Sequence, residues 1–175
     1  MATRSFIFLL DRSGSMETCW DDTIGGFNSF VRDQAILGGQ MTLIQFDHEI
    51  LKSYSNVDLK NVKPLTRETF KPRGSTALLD AIGSTIKEAE ATSPTLIILT
   101  DGHENSSKTY TKAHIKDLIE LKQKEGWTIM YLGANQDAFA EAGAIGIAAD
   151  HTMNYDVRST PEAFRSLSAT CSQAN

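Results

Sequence analysis

The sequence has few cysteines, and their spacing matches no zinc or redox motif. Among its 175 residues only Cys19 and Cys171 are cysteines, and they lie at opposite ends of the chain. Such a pair is typical of two reduced structural thiols in a cytosolic protein. A disulfide bridge that ties the two ends together is the alternative.

Long hydrophobic runs are also absent. The first apolar run covers only residues 6–10, which is too short for the core of a signal peptide or for a membrane span. No later run approaches the roughly 18 residues that a membrane helix needs. We therefore expect a cytoplasmic protein that has no membrane partner.

An excess of positive charge is the third absence. The chain has 17 Lys and Arg residues against 22 Asp and Glu residues, a net charge of −5 and a pI near 5.3. Nucleic-acid-binding domains cluster their cationic residues, so we expect no nucleic-acid partner. The composition is 41% hydrophobic and 22% charged, without repeats, which predicts a single soluble domain over residues 1–175. A chain of this size buries about 70% of its unfolded surface and needs neither a disulfide nor a metal to fold.

Short apolar runs alternate with segments of helical periodicity, which is typical of an α/β fold. Strands are predicted at residues 6–10, 41–46, 96–100 and 128–132. Three of them are almost entirely apolar, as expected for parallel strands buried on both faces. A weaker strand at residues 49–54 follows the second so closely that it must turn back as an antiparallel hairpin. A short last strand is predicted near residues 151–155.

Four helices are predicted from apolar residues at helical spacing. Those residues are Ile24, Phe27, Val31 and Ala35; then Leu78, Ile82, Ile86 and Ala89; then Ile115, Leu118 and Ile119; and last Phe164, Leu167 and Cys171. Gly38 and Gly39 end the first helix, and Pro161 lies in the first turn of the last one. The segment 52–74, which contains two prolines, is predicted to be the longest irregular connection.

Oxygen-bearing side chains occur in three loops of the predicted fold. Residues 11–15 (Asp-Arg-Ser-Gly-Ser) follow the first strand, and residues 101–102 (Asp-Gly) follow the strand at 96–100. Residues 74–76 (Gly-Ser-Thr) come directly before the second helix. Because open α/β sheets bind ligands at the carboxyl ends of their strands, we expect these loops to converge on one edge of the sheet.

The candidate ligands in these loops carry only oxygen atoms. They are Asp11, Ser13, Ser15, Thr76 and Asp101. Oxygen ligands select a hard cation such as Mg²⁺ or Mn²⁺ over zinc or copper. Three neutral hydroxyls balance little of the cation's charge, so we expect at least one coordination position to accept an outside oxygen, preferably a carboxylate's. The alternative is that Asp11 and Ser13 only cap turns.

The three loops together resemble a known family. Asp-x-Ser-x-Ser after a hydrophobic first strand, Gly-Ser-Thr before a helix and Thr-Asp-Gly after a later strand are similar to the von Willebrand factor A-type domain. The resemblance extends from about Ser5 to the last predicted helix. Segments 26–28, 76–83 and 133–137 are also similar to the compact intracellular versions of this domain in bacteria and their viruses.

The resemblance implies a three-layer α/β/α sandwich with a mostly parallel central sheet and one antiparallel edge strand. It implies that Asp11, Ser13, Ser15, Thr76 and Asp101 form a metal-ion-dependent adhesion site, in which the hydroxyls coordinate directly and the aspartates act partly through water. A Mg²⁺ ion, or Mn²⁺, then binds an Asp or Glu carboxylate of a partner protein. In some family members this shifts the last helix, here residues 161–174.

Several polar residues near these loops have a structural and a functional interpretation. Glu104 and Asn105 either line the rim of the site or belong to a solvated loop. Asp21 and Asp22 are expected to begin the first helix, where carboxylates suit the positive helix end, rather than to bind metal. Asp137 is expected to cap a later helix rather than to extend the binding surface.

Four more residues flank the site in sequence. His103 is interpreted as an ordinary exposed loop histidine. Arg12, Arg73 and Met16 either tune the specificity of the site or are exposed to solvent.

Motifs of common enzymes are missing. Because the third position of the first motif is Ser13, there is no phosphoryl-transfer Asp-x-Asp, and the chain has neither a Gly-x-x-x-x-Gly-Lys loop nor a Gly-x-Ser-x-Gly elbow. The main prediction is a non-enzymatic, metal-dependent protein-binding module. A metal-dependent hydrolase and a structural subunit with an unused metal site are the alternatives, and the oligomeric state is not predicted.

Overall fold

The computed structural model describes residues 3–101, 103–134, 137–155 and 160–173. Within these residues it has six strands, which are β1 (Ser5–Asp11), β2 (Gln40–Phe46), β3 (Ile50–Asp58), β4 (Thr95–Thr100), β5 (Thr128–Ala134) and β6 (Thr152–Tyr155). The α-helices of the described residues are α1 (Trp20–Leu37), α2 (Leu78–Glu88), α3 (Lys112–Lys124), α4 (Ala138–Ala144) and α5 (Thr160–Gln173). No helix in this part of the chain is long and apolar enough to span a bilayer.

The strands form one sheet in the order β3-β2-β1-β4-β5-β6. Every pair is parallel except β2 with β3, which is antiparallel. Strands β1, β2, β4 and β5 are buried along nearly their whole length because helices cover both faces of the sheet. The predicted fold class, a three-layer sandwich with an antiparallel edge strand, is confirmed.

Two hydrophobic cores lie on opposite faces of the sheet. Helices α1 and α5 cover one face, and α2, α3 and α4 cover the other. The rings of Phe8 on β1 and Phe27 on α1 meet edge to face with their centroids 5.0 Å apart. A Cβ atom at Gly26 would lie 2.1 Å from the Phe164 ring, so α1 and α5 approach each other here at a distance that only glycine permits.

The predicted length of the irregular connection is wrong. The sequence pattern ended the third strand at residue 54 and made 52–74 irregular, but β3 continues to Asp58 and a 3₁₀ turn follows at Leu59–Asn61. The connection without regular structure is therefore limited to residues 62–77.

The antiparallel hairpin predicted at residues 49–54 is confirmed, but the end of β3 beyond residue 54 escaped prediction because its side chains do not alternate between two environments. Strand β3 is an exposed edge strand, its pairing with β2 contains two register shifts, and Asn56 has a φ of 53°. Backbone pairing keeps the strand in place instead, helped by a 3.0 Å hydrogen bond from the N–H of Asn56 to Thr42 Oγ1. The side chains of β3 therefore lack the two-residue hydrophobic periodicity of a regular strand, although its backbone is still paired with β2.

Helix α4 has too little apolar periodicity to be predicted from its own residues. Its buried side chains are those of Ala138 and Ala142 only. Asp137 Oδ1 accepts a 3.1 Å hydrogen bond from the N–H of Ala140, so the capping interpretation of Asp137 is confirmed.

Both cysteines are free and buried. Cys171 lies on the inner face of α5, with its Sγ atom 3.9 Å from Met130 Sδ. Cys19 Sγ is 4.0 Å from Met16 Sδ. Both thiols therefore pack as small apolar groups, and Met16 is buried rather than exposed.

Candidate metal centre

The candidate site lies at the carboxyl edge of the sheet, where the central strands β1 and β4 end side by side. Strand β1 ends at Asp11, and Asp101 follows Thr100, the last residue of β4. Thr100 Oγ1 donates a 2.8 Å hydrogen bond to Asp11 Oδ2 and so joins the two strand ends. The sheet order therefore brings together two loops that are about 90 residues apart in sequence.

Asp11 is fully buried, and two donors orient its carboxylate. Besides Thr100, the N–H of Ser13 donates a 2.7 Å hydrogen bond to Oδ1. Burial raises the pKa of Asp11 from 3.8 to about 6; the hydrogen bonds from Ser13 oppose the rise, and the negative charge of Asp101 adds to it. A positive charge beside these two carboxylates would stabilise their ionised forms.

Asp101 supplies the observation that tests whether a cation fits. Its side chain is 5% exposed, and its Oδ1 atom has no hydrogen-bond partner among the residues that the structure describes. A buried carboxylate oxygen without a donor is costly. A hard divalent cation would satisfy this oxygen, so the carboxylate of Asp101 fits such an ion.

Two serine hydroxyls lie next to each other on the loop after β1. Ser13 Oγ and Ser15 Oγ are 3.3 Å apart. Ser13 is buried, whereas Ser15 is exposed at the start of the 3₁₀ turn Gly14–Cys19. The two hydroxyls therefore provide neighbouring neutral oxygen atoms, one on a buried residue and one on an exposed residue.

The loop before α2 is held against the loop after β1. The N–H of Gly14 donates a 3.1 Å hydrogen bond to the carbonyl oxygen of Gly74, and that of Arg73 donates one of 2.7 Å to Arg12. Gly74 has a φ of 70°, and a Cβ atom there would lie 2.5 Å from His48 Nδ1. Glycine is therefore required at the point where the two loops meet.

Thr76 is buried, and its backbone is joined to the loop after β4. Its N–H donates a 2.9 Å hydrogen bond to Asn105 Oδ1. Its carbonyl oxygen accepts hydrogen bonds from the N–H groups of Asn105 and Ser106, at 3.0 and 3.1 Å. Asn105 thus links the loop before α2 to the loop after β4. Neither interpretation of the sequence gave it this role. The one sequence feature that could have indicated the role is its position four residues after Asp101.

Asp80, in the first turn of α2, fixes the same loop further along. Its Oδ2 accepts a 2.7 Å hydrogen bond from the N–H of Lys108, and its Oδ1 accepts bonds of 3.0 and 2.9 Å from Thr109 and Tyr110. Burial raises the pKa of Asp80, but these donors outweigh it and hold the pKa below its usual value. Sequence reasoning missed this residue because it looks like any polar position on a helix.

A second group of potential ligands, also missed, lies beside the site. Oxygen and nitrogen atoms of Asp47, His48 and Glu49 lie within 4.8 Å of one another. Asp47 Oδ2, however, is 3.2 Å from Arg12 Nε and 2.7 Å from Arg73 Nε, and Glu49 also pairs with Arg73. These guanidinium groups already balance the carboxylates. Arg12 and Arg73 are therefore ion-paired, not merely exposed as one interpretation had them.

The remaining predicted residues have structural roles. Asp21 and Asp22 lie in the first turn of α1, as expected. Both carboxylate oxygens of Asp21 accept 2.7 Å hydrogen bonds from Arg67, which lower the pKa of Asp21. His103 is exposed, and Glu104 Oε1 accepts a hydrogen bond from the N–H of Ser107 at 3.1 Å.

A model of the von Willebrand factor type A domain matches residues 6–169. A search of curated proteins gives no match.

Solved structures with a similar fold include a pilus tip protein and a matrix protein. The von Willebrand factor domain of the type V pili tip protein Mfa5 from Porphyromonas gingivalis has a TM-score of 0.76 and 11% identity, covering 97% of this chain and 95% of its own. The manganese-loaded TRAP protein of Plasmodium vivax has a TM-score of 0.68 and 15% identity, and the match covers 92% of this chain and 71% of that protein's chain.

A third similar structure is proximal thread matrix protein 1 from the mussel byssus, with a zinc-occupied MIDAS motif. Its TM-score is 0.67 at 17% identity, and the match covers 97% of this chain. The chain spans less than half of that protein, 46% of its length. At these identities the likeness shows a shared fold.

Proposed function

The chain belongs to the von Willebrand factor type A domain family, and from that membership we propose that it is a protein-binding module that depends on a divalent cation. The proposed ligands are Asp11, Ser13, Ser15, Thr76 and Asp101. The proposed ion is Mg²⁺, with Mn²⁺ as the alternative. Family members loaded with manganese and with zinc support a divalent cation in this fold.

The unpartnered oxygen of Asp101 carries the proposal. It is a buried acceptor next to the carboxylate of Asp11, both of whose oxygens accept hydrogen bonds. Buried polar atoms in folded proteins rarely lack a partner. A cation at this point supplies that partner and also offsets the repulsion between Asp11 and Asp101.

The chain's own residues prepare this site before any ligand arrives. Ser13 and Thr100 hold Asp11 in one orientation, and Asn105 fixes the backbone of Thr76. The five proposed protein ligands carry only two negative charges, so they do not over-neutralise a divalent cation, and an open coordination position on it could still accept an anionic oxygen. That position suits a carboxylate, so we propose that the partner presents an aspartate or a glutamate.

We propose binding rather than catalysis as the task of this site. The similar proteins include a pilus tip protein and a byssus matrix protein, which supports an adhesive role. Two free, buried thiols suit a reducing compartment, and we propose the cytoplasm as the place of action.

Calorimetric titration tests the metal site directly. Mg²⁺ and Mn²⁺ are titrated into chelator-treated protein, beside the variants Asp101→Asn and Thr76→Ala. Matched controls are Asp33→Asn and Thr109→Ala, both at exposed positions outside the site. We expect saturable binding in the wild type and the controls, and at least about tenfold weaker binding in both site variants.

A labelled peptide with a single glutamate, and its glutamine counterpart, tests the partner's chemistry. The glutamate peptide should bind in Mg²⁺ and not in chelator, as measured by fluorescence anisotropy, and the glutamine peptide should bind in neither. Metal binding that is equal in Asp101→Asn and in the wild type, or peptide binding that ignores chelator, would contradict the proposed function.

A further inference from the structure

A cationic strip, defined here as residues 59–74, leads along α1 to the candidate metal centre. It contains five cationic side chains and a single carboxylate, in a chain whose net charge is −5. The cationic residues are Lys60, Lys63, Arg67, Lys71 and Arg73. Cations are therefore concentrated on one segment of an acidic protein.

Hydrogen bonds fix the cationic strip from one edge of the sheet to the other. It begins where the N–H of Leu59 donates a 3.0 Å hydrogen bond to the carbonyl oxygen of Gly39, directly before β2. In its middle, Asn28 on α1 binds both the N–H and the carbonyl oxygen of Leu65, at 2.7 and 3.0 Å. It ends at Gly74, which accepts the hydrogen bond from the metal-centre loop.

Buried anchors make the cationic strip a fixed surface although it is mostly irregular. Leu65 and Phe70 are buried in the core between α1 and the sheet. Trp20 Nε1 donates a 2.7 Å hydrogen bond to the carbonyl oxygen of Phe70, and the guanidinium of Arg67 lies 4.4 Å from the centre of the Trp20 ring. A partner that binds here would pay little ordering entropy for the strip itself.

Three lysines of the cationic strip form no ion pair with the described residues. Lys60, Lys63 and Lys71 are exposed, and none has an acidic partner within 4.0 Å among the residues that the structure describes. Arg67 and Arg73, in contrast, pair with Asp21 and with Asp47 and Glu49. Ion pairs within the described residues therefore leave the charges of these three lysines unbalanced, along a strip that runs from the amino edge of the sheet towards the centre.

We propose that the cationic strip docks an acidic segment of the partner protein, one whose carboxylates continue beyond the residue at the metal centre. The inference rests on the proposed function, because the strip ends two residues before Thr76 and is bonded to the loop of Ser13 and Ser15. A single exposed ion pair contributes little, so selection here requires several carboxylates along one extended chain. Electrostatic complementarity of this kind sets specificity and the association rate.

The phosphates of an oligonucleotide carry the same charge as such a segment. The metal centre favours the protein, because its open position suits a carboxylate and the chain outside the strip has an excess of acidic residues that would repel a long polyanion. An oligonucleotide therefore enters the test as a competing probe.

Fluorescence anisotropy with a labelled deca-glutamate peptide tests the inference, in Mg²⁺ at low salt. The test variant is the double substitution Lys63→Glu/Lys71→Glu. Its matched control is Lys116→Glu/Lys124→Glu on α3, which changes the charge equally on the opposite face of the sheet. Thermal unfolding of both variants verifies that they fold.

We expect the wild type and the control to bind the deca-glutamate peptide, and the test variant to bind it about tenfold more weakly. The single-glutamate peptide should bind equally to all three proteins. Equal deca-glutamate binding by test and control variants, no binding by the wild type, or tighter binding of a deoxythymidine oligonucleotide would overturn the inference.

The same experiment separates failure of this inference from failure of the proposed function. If Asp101→Asn and chelator abolish peptide binding while Lys63→Glu/Lys71→Glu has no effect, the proposed metal-dependent binding is supported. The inference that the cationic strip docks an acidic segment is then wrong. If the lysine substitutions weaken peptide binding while chelator has no effect, the cationic strip does bind the acidic segment. The proposed coordination of a partner carboxylate by the metal ion is then wrong.

Discussion

Asp11 shows how far the environment of one residue can depart from what its sequence position indicates. The motif identified it as a ligand candidate, but its complete burial and the orientation by Thr100 follow only from the pairing of β1 with β4. The residues around Asp11 in sequence do not indicate that Thr100, about 90 positions away, is its hydrogen-bond partner. The place of Asp11 at the end of the first strand was therefore predictable, whereas its burial, its partner Thr100 and its raised pKa were not.

Without metal, the charge of Asp11 should lower the stability of the fold. In chelator at pH 7.5 we expect Asp11→Asn to raise the free energy of unfolding by roughly 1–3 kcal/mol, because it removes a buried charge beside Asp101. Since the folded pKa of about 6 exceeds the ordinary 3.8, the wild type gains stability as pH falls from 7 towards 4.

Urea denaturation across this pH range measures the effect of Asp11→Asn. The gain over the wild type should shrink as the pH falls and be nearly lost at pH 4. Asp33→Asn, at an exposed position, is the control and should show no such trend. A gain that is the same at every pH would count against a charged, destabilising Asp11.

The two thiols should be poor nucleophiles in the folded protein. Burial raises the pKa of Cys171 to about 12, with a small opposing effect of Arg4, and burial also raises the pKa of Cys19. At pH 8 almost no thiolate is then present, so a disulfide reagent should label neither cysteine until the protein unfolds. Rapid labelling of the native protein, or fewer than two reactive thiols after unfolding without reductant, would refute this.

At the scale of elements, helix α2 and the loop after β4 act as a unit. Four hydrogen bonds join Asp80 to residues 107–110, and Asn105 joins the same loop to Thr76. Helical periodicity predicted α2 correctly, but it describes only the face that packs in the core. Contacts from the polar face to a distant loop leave no periodic signal in the sequence.

Removing the carboxylate of Asp80 should release this loop. We expect Asp80→Ala to lower the free energy of unfolding by roughly 1–3 kcal/mol, because three backbone N–H groups lose a charged acceptor. Hydrogen exchange at residues 107–110 should accelerate. Asp117→Ala, on the exposed side of α3, serves as the control; if both variants lose the same stability, Asp80 has no special role in the loop.

Across the whole molecule, the regions buried on both faces were the most predictable. The near-continuous apolar runs that became β1, β4 and β5 carry their own signal, and so do the helices that cover them. The full extent of β3, the bounds of the short helix α4 and the fixed course of the cationic strip were not predictable. In these parts backbone hydrogen bonds and side-chain clamps such as Asn28 take the place of hydrophobic periodicity.

Metal binding should stabilise the whole fold if the ligands come from three separate loops. At a hundredfold excess over Kd, a ligand that binds only the folded state adds about 2.7 kcal/mol. For a domain of this size that corresponds to a rise in Tm of about 5–10 °C. Scanning calorimetry should show this rise with Mg²⁺ or Mn²⁺ in the wild type and in Asp33→Asn, and a much smaller one in Asp101→Asn; equal shifts would mean that the ion binds elsewhere.

The irregular geometry of β3 also bears on how the protein behaves at high concentration. A straight, exposed edge strand is a template on which other chains can polymerise. The two register shifts and the left-handed Asn56 interrupt this edge, and Lys52 places a charge on it. A second molecule therefore finds no continuous row of hydrogen-bonding groups there, although Ile50 and Leu51 are exposed. The same distortion that hid the far end of β3 from sequence analysis therefore disfavours edge-to-edge pairing between molecules.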